Sequence, residues 1–493
     1  MLCIYDLGMR IGRRAVLATA RMARGAKPSK FVRFAQGQRS VITEARKVAA
    51  SLPGDRPTVW IHASSLGEFG IARPIIRLLK GECDCNVVVT FFSPTGYEAL
   101  NPRCPDGVDA VLYFPFDTKP NIRTFLDSLR PACAVFMVSE FWPNCLHELR
   151  KRSIPTYLVS AVIRPDSPFF KWYGSLFRRS IGCFTKIFTL NEDSCTRLEQ
   201  LGQKDVTVNG DPLFDNVSLV AATKWEDEIV GRFTDGRKVF IAGSLHDDQD
   251  LELVTTLANR HPDTRFIIVP HEIDTAIIRH LEEKINGKTV CYSKCSHVTD
   301  FADTQVLVID FVGALAYIYR YATWAYVGGG FTRLLHSVIE PAVYGLPVAF
   351  GPNVNRKPVT LQMIELGIGC VTATPDALDR WFCGLKDNPE RLREIAEKAA
   401  IYVNRNIGAA ARVVNQIRKD IITAPVPAVW ADAPAAEAAS NMAEIIVFFI
   451  CGFLRDGFIS VGDICVGGHF AARAEHICSG PLPHLGRQCG CRR

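Results

Sequence analysis

Short apolar runs, each followed by a stretch with helical periodicity, recur along this chain, stop, and then start over. Thr58–His62, Asn86–Phe91, Ala134–Val138, Thr156–Val159, Lys186–Thr189 and Val206–Val208 read as buried strands. Arg73–Lys80, Lys119–Leu129, Pro143–Lys151 and Glu192–Leu201 read as the helices between them. Strands that are apolar on both faces and alternate with helices predict an α/β domain with a parallel sheet. The pattern restarts with strands at Lys238–Ala242, Arg265–Val269, Val306–Ile309, Thr323–Val327 and Pro347–Phe350, and helices at Asp274–Glu283 and Leu315–Tyr319. Two successive α/β units joined near residues 215–237 are therefore expected, with ligands bound in a cleft outside the carboxyl ends of the strands.

At 493 residues the chain exceeds what one core usually organises. A net charge of +6 is too small to argue for nucleic acid. The charge is unevenly placed: residues 1–40 carry nine Arg or Lys against the single acid Asp6. Arg10, Arg13 and Arg14 interrupt the apolar residues before a signal-peptide core or a transmembrane span can form. What remains is a basic helical segment with Leu2, Ile4, Tyr5, Leu7, Ile11, Val16 and Leu17 as apolar contacts. It is either docked on the domain or a peripheral anchor on an anionic membrane surface. Seventeen cysteines without an export signal point to a reducing setting. Cys83-x-Cys85 and Cys291-x-x-x-Cys295 with His297 lack a second pair at zinc-ribbon spacing, so no metal site is expected. Residues 425–493 begin as a Pro/Ala linker and continue as a Cys-containing tail without a motif, expected to be poorly ordered.

Five segments carry chemistry. In Trp60-Ile-His-Ala-Ser-Ser-Leu-Gly-Glu-Phe69 a strand ends at His62 and a helix begins near Glu68. Such a junction turns backbone N–H groups toward a ligand, and Gly67 permits close approach. Glu68 there either takes a proton from a hydroxyl nucleophile or caps the helix, and spacing alone favours the cap. Ser139-Glu-Phe-Trp-Pro-Asn144 places Glu140 after another strand, with Pro143 suited to a first helical turn. Gly243-Ser-Leu-His246 is again a strand and a turn, suited to a phosphate or a sugar carboxylate, and Pro270-His-Glu-Ile-Asp274 is the fourth. The fifth runs from Tyr326-Val-Gly-Gly-Gly-Phe331 through His336-Ser-Val-Ile-Glu340 to Phe350-Gly-Pro-Asn353. Its glycines suit phosphate contact or only a tight turn; His336 and Glu340, one helical turn apart, either meet a nucleotide or form a structural pair.

Taken in order over residues 55–420, these motifs resemble the 3-deoxy-D-manno-octulosonic acid (Kdo) transferases of lipopolysaccharide synthesis, in particular their Bacteroidetes-type branch. Phe92-Ser-Pro-Thr-Gly-Tyr97, Tyr113-Phe-Pro-Phe-Asp117 and Arg164-Pro-Asp-Ser-Pro-Phe-Phe170 belong to the same series. The resemblance implies a GT-B fold of two Rossmann-like domains facing a cleft. The implied layout is a basic segment at 1–50, an acceptor domain at 51–220, a donor domain at 221–424 and the tail. It implies an inverting glycosyltransferase with CMP-Kdo as donor substrate, the lipid A precursor (a tetraacyl disaccharide phosphate) as acceptor, and no cofactor. It further implies work at the cytoplasmic face of the inner membrane, peripheral or N-terminally anchored.

By the same resemblance Glu68 is the general base, and Ser65, Gly67, Glu140 and Arg164 serve the acceptor. Gly243, Ser244, Pro270, His271, Gly329, Gly330, His336 and Glu340 line the donor site. Three departures stand out. Ser337 replaces an expected Asn, Leu213 an expected Arg, and Lys357-Pro-Val-Thr360 an expected Lys-Phe-x-Glu. Each removes a polar contact to an anionic substrate, which keeps open a divergent copy that binds without turnover. Another GT-B glycosyltransferase is the remaining alternative.

Overall fold

The computed structural model describes residues 1–22, 29–101, 103–332, 335–354 and 358–423. Arg24, Lys27, Lys357 and the tail at 425–493 lie outside them. The chain divides into two compact units, one of Met1–Phe69, Leu79–Val208 and the chain from Ile417, the other of Gly70–Leu78 and Asn209–Gln416.

The first unit holds seven parallel strands: β1 (Thr58–His62), β2 (Asn86–Phe91), β3 (Ala110–Tyr113), β4 (Cys133–Met137), β5 (Thr156–Ala161), β6 (Lys186–Thr189) and β7 (Val206–Val208). Their order is β3-β2-β1-β4-β5-β6-β7, so the winding reverses between β1 and β4. Strands β1, β2 and β4 are buried along their whole length, as continuous apolar runs require when both faces are covered. Trp60 sits at the centre of the core, with Phe114, Phe125 and Phe136 rings 5.1–6.1 Å away. The second unit repeats the plan with β8 (Val239–Leu245), β9 (Arg265–Pro270), β10 (Lys288–Cys291), β11 (Thr304–Val308), β12 (Trp324–Val327), β13 (Val348–Phe350) and β14 (Gly369–Val371). Here the order is β10-β11-β9-β8-β12-β13-β14, reversing between β8 and β12. In such sheets the loops diverge at the reversal and leave room for a ligand at the carboxyl ends of the two strands. That gives one such place in each unit.

Strands β3, β10 and β14 were not anticipated; all are short and lie at a sheet edge. The helix Leu213–Ala222 packs Phe214 and Val217 into the second unit's core, so a boundary at 220 divides the chain too late. Asp215 explains the attachment: its carboxylate accepts from the amides of Gly408 and Ala410 at 2.7 and 3.1 Å.

The basic segment is not a separate domain. The helices Leu2–Met22 and Lys30–Ser51 pack on the first unit. Tyr5 donates to Asp117 Oδ2 at 2.8 Å, and Asp6 Oδ1 accepts from the Lys119 amide and from Asn144 Nδ2. Leu7 and Ile11, expected as docking contacts, are instead half exposed, because Tyr5, Met9 and Val16 already form the buried stripe. Among the described residues, no helix is long and apolar enough to cross a membrane.

Candidate active site

At the first unit's reversal point, β1 ends at His62 and the helix Leu66–Glu82 starts two residues after Ser64, with Ser65 as its cap. Ser65 Oγ accepts from the Glu68 amide at 3.4 Å, and Glu68 Oε2 accepts from the Ser64 amide at 2.5 Å. This is close to a capping box, except that the glutamate takes the amide of Ser64, the residue before the cap. Glu68 is therefore both a capping residue and a partly buried acid facing the site.

Glu140 arrives from the neighbouring strand. After β4, Val138 adopts φ 62° while its amide donates to Val159 O at 2.7 Å. A β-branched residue in the left-handed region costs roughly 1–2 kcal/mol, and such strain persists where surrounding structure imposes it. The kink turns the chain so that Glu140 meets His62. His62 is wholly buried, with Nε2 3.3 Å from Glu140 Oε2 and Nδ1 2.9 Å from Thr90 Oγ1. Trp142 donates its indole N–H to the same Glu140 oxygen at 2.5 Å and stacks near Phe92 and Phe114.

The two carboxyls are driven apart in acidity. Burial, and then the charge of Glu140, hold Glu68 well above the ordinary carboxylate range, against the pull of the Ser64 and Ser65 amides. Burial also resists ionisation of Glu140. The hydrogen bond and charge of His62, with the Ser64 hydroxyl and Trp142, outweigh it and leave Glu140 below that range. The two acids are thus pushed in opposite directions, the division expected of acid–base groups. Gly67 is exposed, and a methyl there would meet nothing closer than Ser65 Oγ at 3.8 Å. Arg164 is exposed in the turn after β5, its amide donating to Ser167 Oγ.

In the second unit, β8 carries a bulge at Ser244, whose φ is 57°, and the register against β9 shifts between Gly243 and Leu245. A bulge of this kind bends the strand and re-aims the next side chains, here Leu245 and His246. After β12, Gly329 takes φ 81°, and Gly330 lies against Gly351, where a methyl would come within 2.5 Å of the Gly351 nitrogen. Pro270 ends β9, and the His271 amide donates to Leu245 O at 2.9 Å. Three imidazoles consequently converge: His246, His271 and His336 have ring nitrogens within 4.8 Å of one another. His336 was expected on a helix with Glu340. The helix runs only over Ile339–Ala342, so His336 lies in the loop before it and Glu340 in its first turn. Where Arg was expected, Leu213 packs on the apolar core. The hydroxyls of Ser337 and Thr360 are buried without a hydrogen-bond partner.

Sequence reasoning missed Asp250. This carboxylate is fully buried in the helix Asp248–Arg260. It accepts from Tyr326 Oη (2.6 Å), the Gly329 amide (2.7 Å) and the His246 amide (3.1 Å). It therefore ties the loop after β8 to the glycine loop after β12. The only sequence signal is an acid four residues after His246 in a helix's first turn, where acids are common for capping reasons.

Two Rossmann-like units, each with its polar residues gathered at a topological reversal, define the GT-B fold. A UDP-GlcNAc 2-epimerase from Neisseria meningitidis shares that fold, with a TM-score of 0.53 at 15% identity over 73% of this chain and 100% of that one. Residues 33–216 match the family model described as 3-Deoxy-D-manno-octulosonic-acid transferase (kdotransferase). A 3-deoxy-D-manno-octulosonic acid transferase from Bordetella pertussis is 27% identical over 78% of this chain and 93% of its own length. A bifunctional glycosyltransferase/methyltransferase from Fusobacterium nucleatum is 27% identical over 60% of this chain, which spans only 47% of that protein. The chain is thus a homologue of the Kdo transferases, as its motifs indicated.

Proposed function

We propose that the protein moves Kdo from CMP-Kdo to a sugar hydroxyl of the lipid A precursor, with inversion, and that Glu68 is the base. The observation that carries this reading is the pair of partly buried acids, Glu68 and Glu140, gathered with buried His62 at the β1/β4 reversal. A carboxylate whose pKa is raised above the ordinary range is a stronger base, suited to removing a hydroxyl proton as the C–O bond forms. The acceptor oxygen attacks the anomeric carbon of Kdo, CMP leaves with the bonding pair, and the single displacement inverts that centre. In the second unit, the glycine loop and the histidines suit the anionic donor, and Glu340 suits the ribose hydroxyls. Arg164 is assigned to the acceptor phosphate. The half-exposed Leu7 and Ile11, flanked by Arg10 and Arg14, are assigned to an anionic membrane surface at the inner membrane's cytoplasmic face.

The test is Glu68→Gln, with turnover and melting temperature measured together. Loss of a positioned base should cost roughly 10²- to 10⁴-fold in transfer, with CMP-Kdo still bound. A stable variant with near-parental turnover would leave Glu68 as a helix cap only. A parent protein that binds CMP-Kdo but shows no turnover would favour the divergent binding copy, whose mark is the unpartnered Ser337 and Thr360 hydroxyls.

A further inference from the structure

Away from both reversal points, His261 ends the helix Asp248–Arg260, and Asp379 and Cys383 stand one turn apart on the helix Pro375–Lys386. We propose that these three residues form a binding site for a zinc-class divalent cation, clipping the two helices together. His261 Nε2 lies 2.7 Å from Asp379 Oδ1, and Cys383 Sγ lies 3.8 Å from each of those atoms. In a tetrahedral zinc site with bonds of about 2.0–2.3 Å, neighbouring ligand atoms are about 3.4–3.6 Å apart. The triangle therefore matches one face of the tetrahedron once the His–Asp contact opens slightly. A simple His–Asp ion pair would not require a thiol equidistant from both.

The ligands are already oriented. Arg260 Nη1 holds Asp379 Oδ2 at 3.1 Å, and its Nη2 is neutralised by Asp376 Oδ1 at 2.8 Å. The His261 ring packs edge-on against buried Phe382 at 4.8 Å, which sets its plane. Such outer partners are what keep metal ligands aimed. Binding replaces protons: the Cys383 thiol loses one to solvent, and the His261 ring hydrogen sits on Nδ1 while Nε2 donates its lone pair. One thiolate and one carboxylate then balance the cation. Cys383 is exposed, leaving the fourth position to water. Among the described residues, neither Cys83-x-Cys85 nor Cys291 with Cys295 gathers a third ligand. The other histidine cluster belongs to the proposed donor site.

Cobalt(II) titration of the full-length, metal-free protein tests this. A thiolate-to-cobalt charge-transfer band should appear, with visible bands of four-coordinate intensity. One equivalent of that absorbance should vanish in Cys383→Ser, and affinity should fall at least about tenfold in His261→Gln, since each removes a ligand. His336→Gln should keep the band. Zinc should raise the melting temperature of the parent but not of either ligand variant. Absence of the band in the parent, or an equal band in Cys383→Ser, would overturn the proposal; equal zinc stabilisation of parent and variants would do the same.

Discussion

Replacing Glu140 by Gln should move the acid limb of the transfer reaction to lower pH, because a repelling charge beside Glu68 is removed. Glu68 Oε2 accepts from the Ser64 amide, and Glu140 accepts from the Ser64 hydroxyl, so one serine spans the gap between the carboxyls. At an effective dielectric constant of about 20, two like charges several ångströms apart repel by about 2–4 kcal/mol. The sign comes from the roles. Glu68 works as a base only when deprotonated, so kcat/KM should rise with pH through its raised pKa and then level off. Removing the Glu140 charge leaves burial as the cause of elevation, so in Glu140→Gln the limb should shift to lower pH. Gln preserves the shape and can still accept from Trp142. The assay is the pH dependence of kcat/KM with CMP-Kdo and lipid A precursor; a fall in amplitude alone does not bear on the argument. A limb that stays in place, or moves to higher pH, would refute the coupling between the two acids.

Glu340→Ala should weaken CMP binding by about 1.5–3 kcal/mol, the worth of hydrogen bonds to a charged acceptor, and calorimetric titration of CMP reads it directly. Gly330→Ala should destabilise the second unit by at least about 2 kcal/mol, since the new methyl meets the Gly351 backbone rather than a flexible side chain; denaturant unfolding should show it. Tyr5→Phe takes the 2.8 Å donor from Asp117 Oδ2, which keeps the Asn144 amide at 3.1 Å, and should cost about 0.5–1.5 kcal/mol, seen as a lower melting temperature.

How much of this was legible in the chain varied with the kind of signal. The inner strands were plain, because a strand covered on both faces is a continuous apolar run; Asn86–Phe91 and Thr58–His62 fall where the pattern placed them. The edge strand Ala110–Tyr113 carries too few residues to stand out from the Phe-Pro-Phe directly after it. Glu68 and Glu140 were visible as acids at strand ends, but their partnership depends on β1 and β4 being neighbours, which is a property of the winding. Asp250 and the His261 group were hidden for a related reason. Asp379 lies 118 residues from His261, and only the packing of two helices brings them together. The helix expected across His336 and Glu340 failed because Pro341 and the loop geometry confine it to a single turn.

Asp250 has a consequence for how the second unit opens. One carboxylate oxygen, Oδ2, holds the amide hydrogens of both His246 and Gly329, which lie on different loops, while Oδ1 takes the Tyr326 hydroxyl. Neither amide can reach solvent unless that one side chain lets go, and its burial makes a half-released state costly. The two sites should therefore exchange their hydrogens with deuterium as a pair, with matching protection, although they are far apart in the chain. A ligand that grips either loop would slow exchange at both. What looks like two independent turns is, in its fluctuations, a single hinge fastened by one acid.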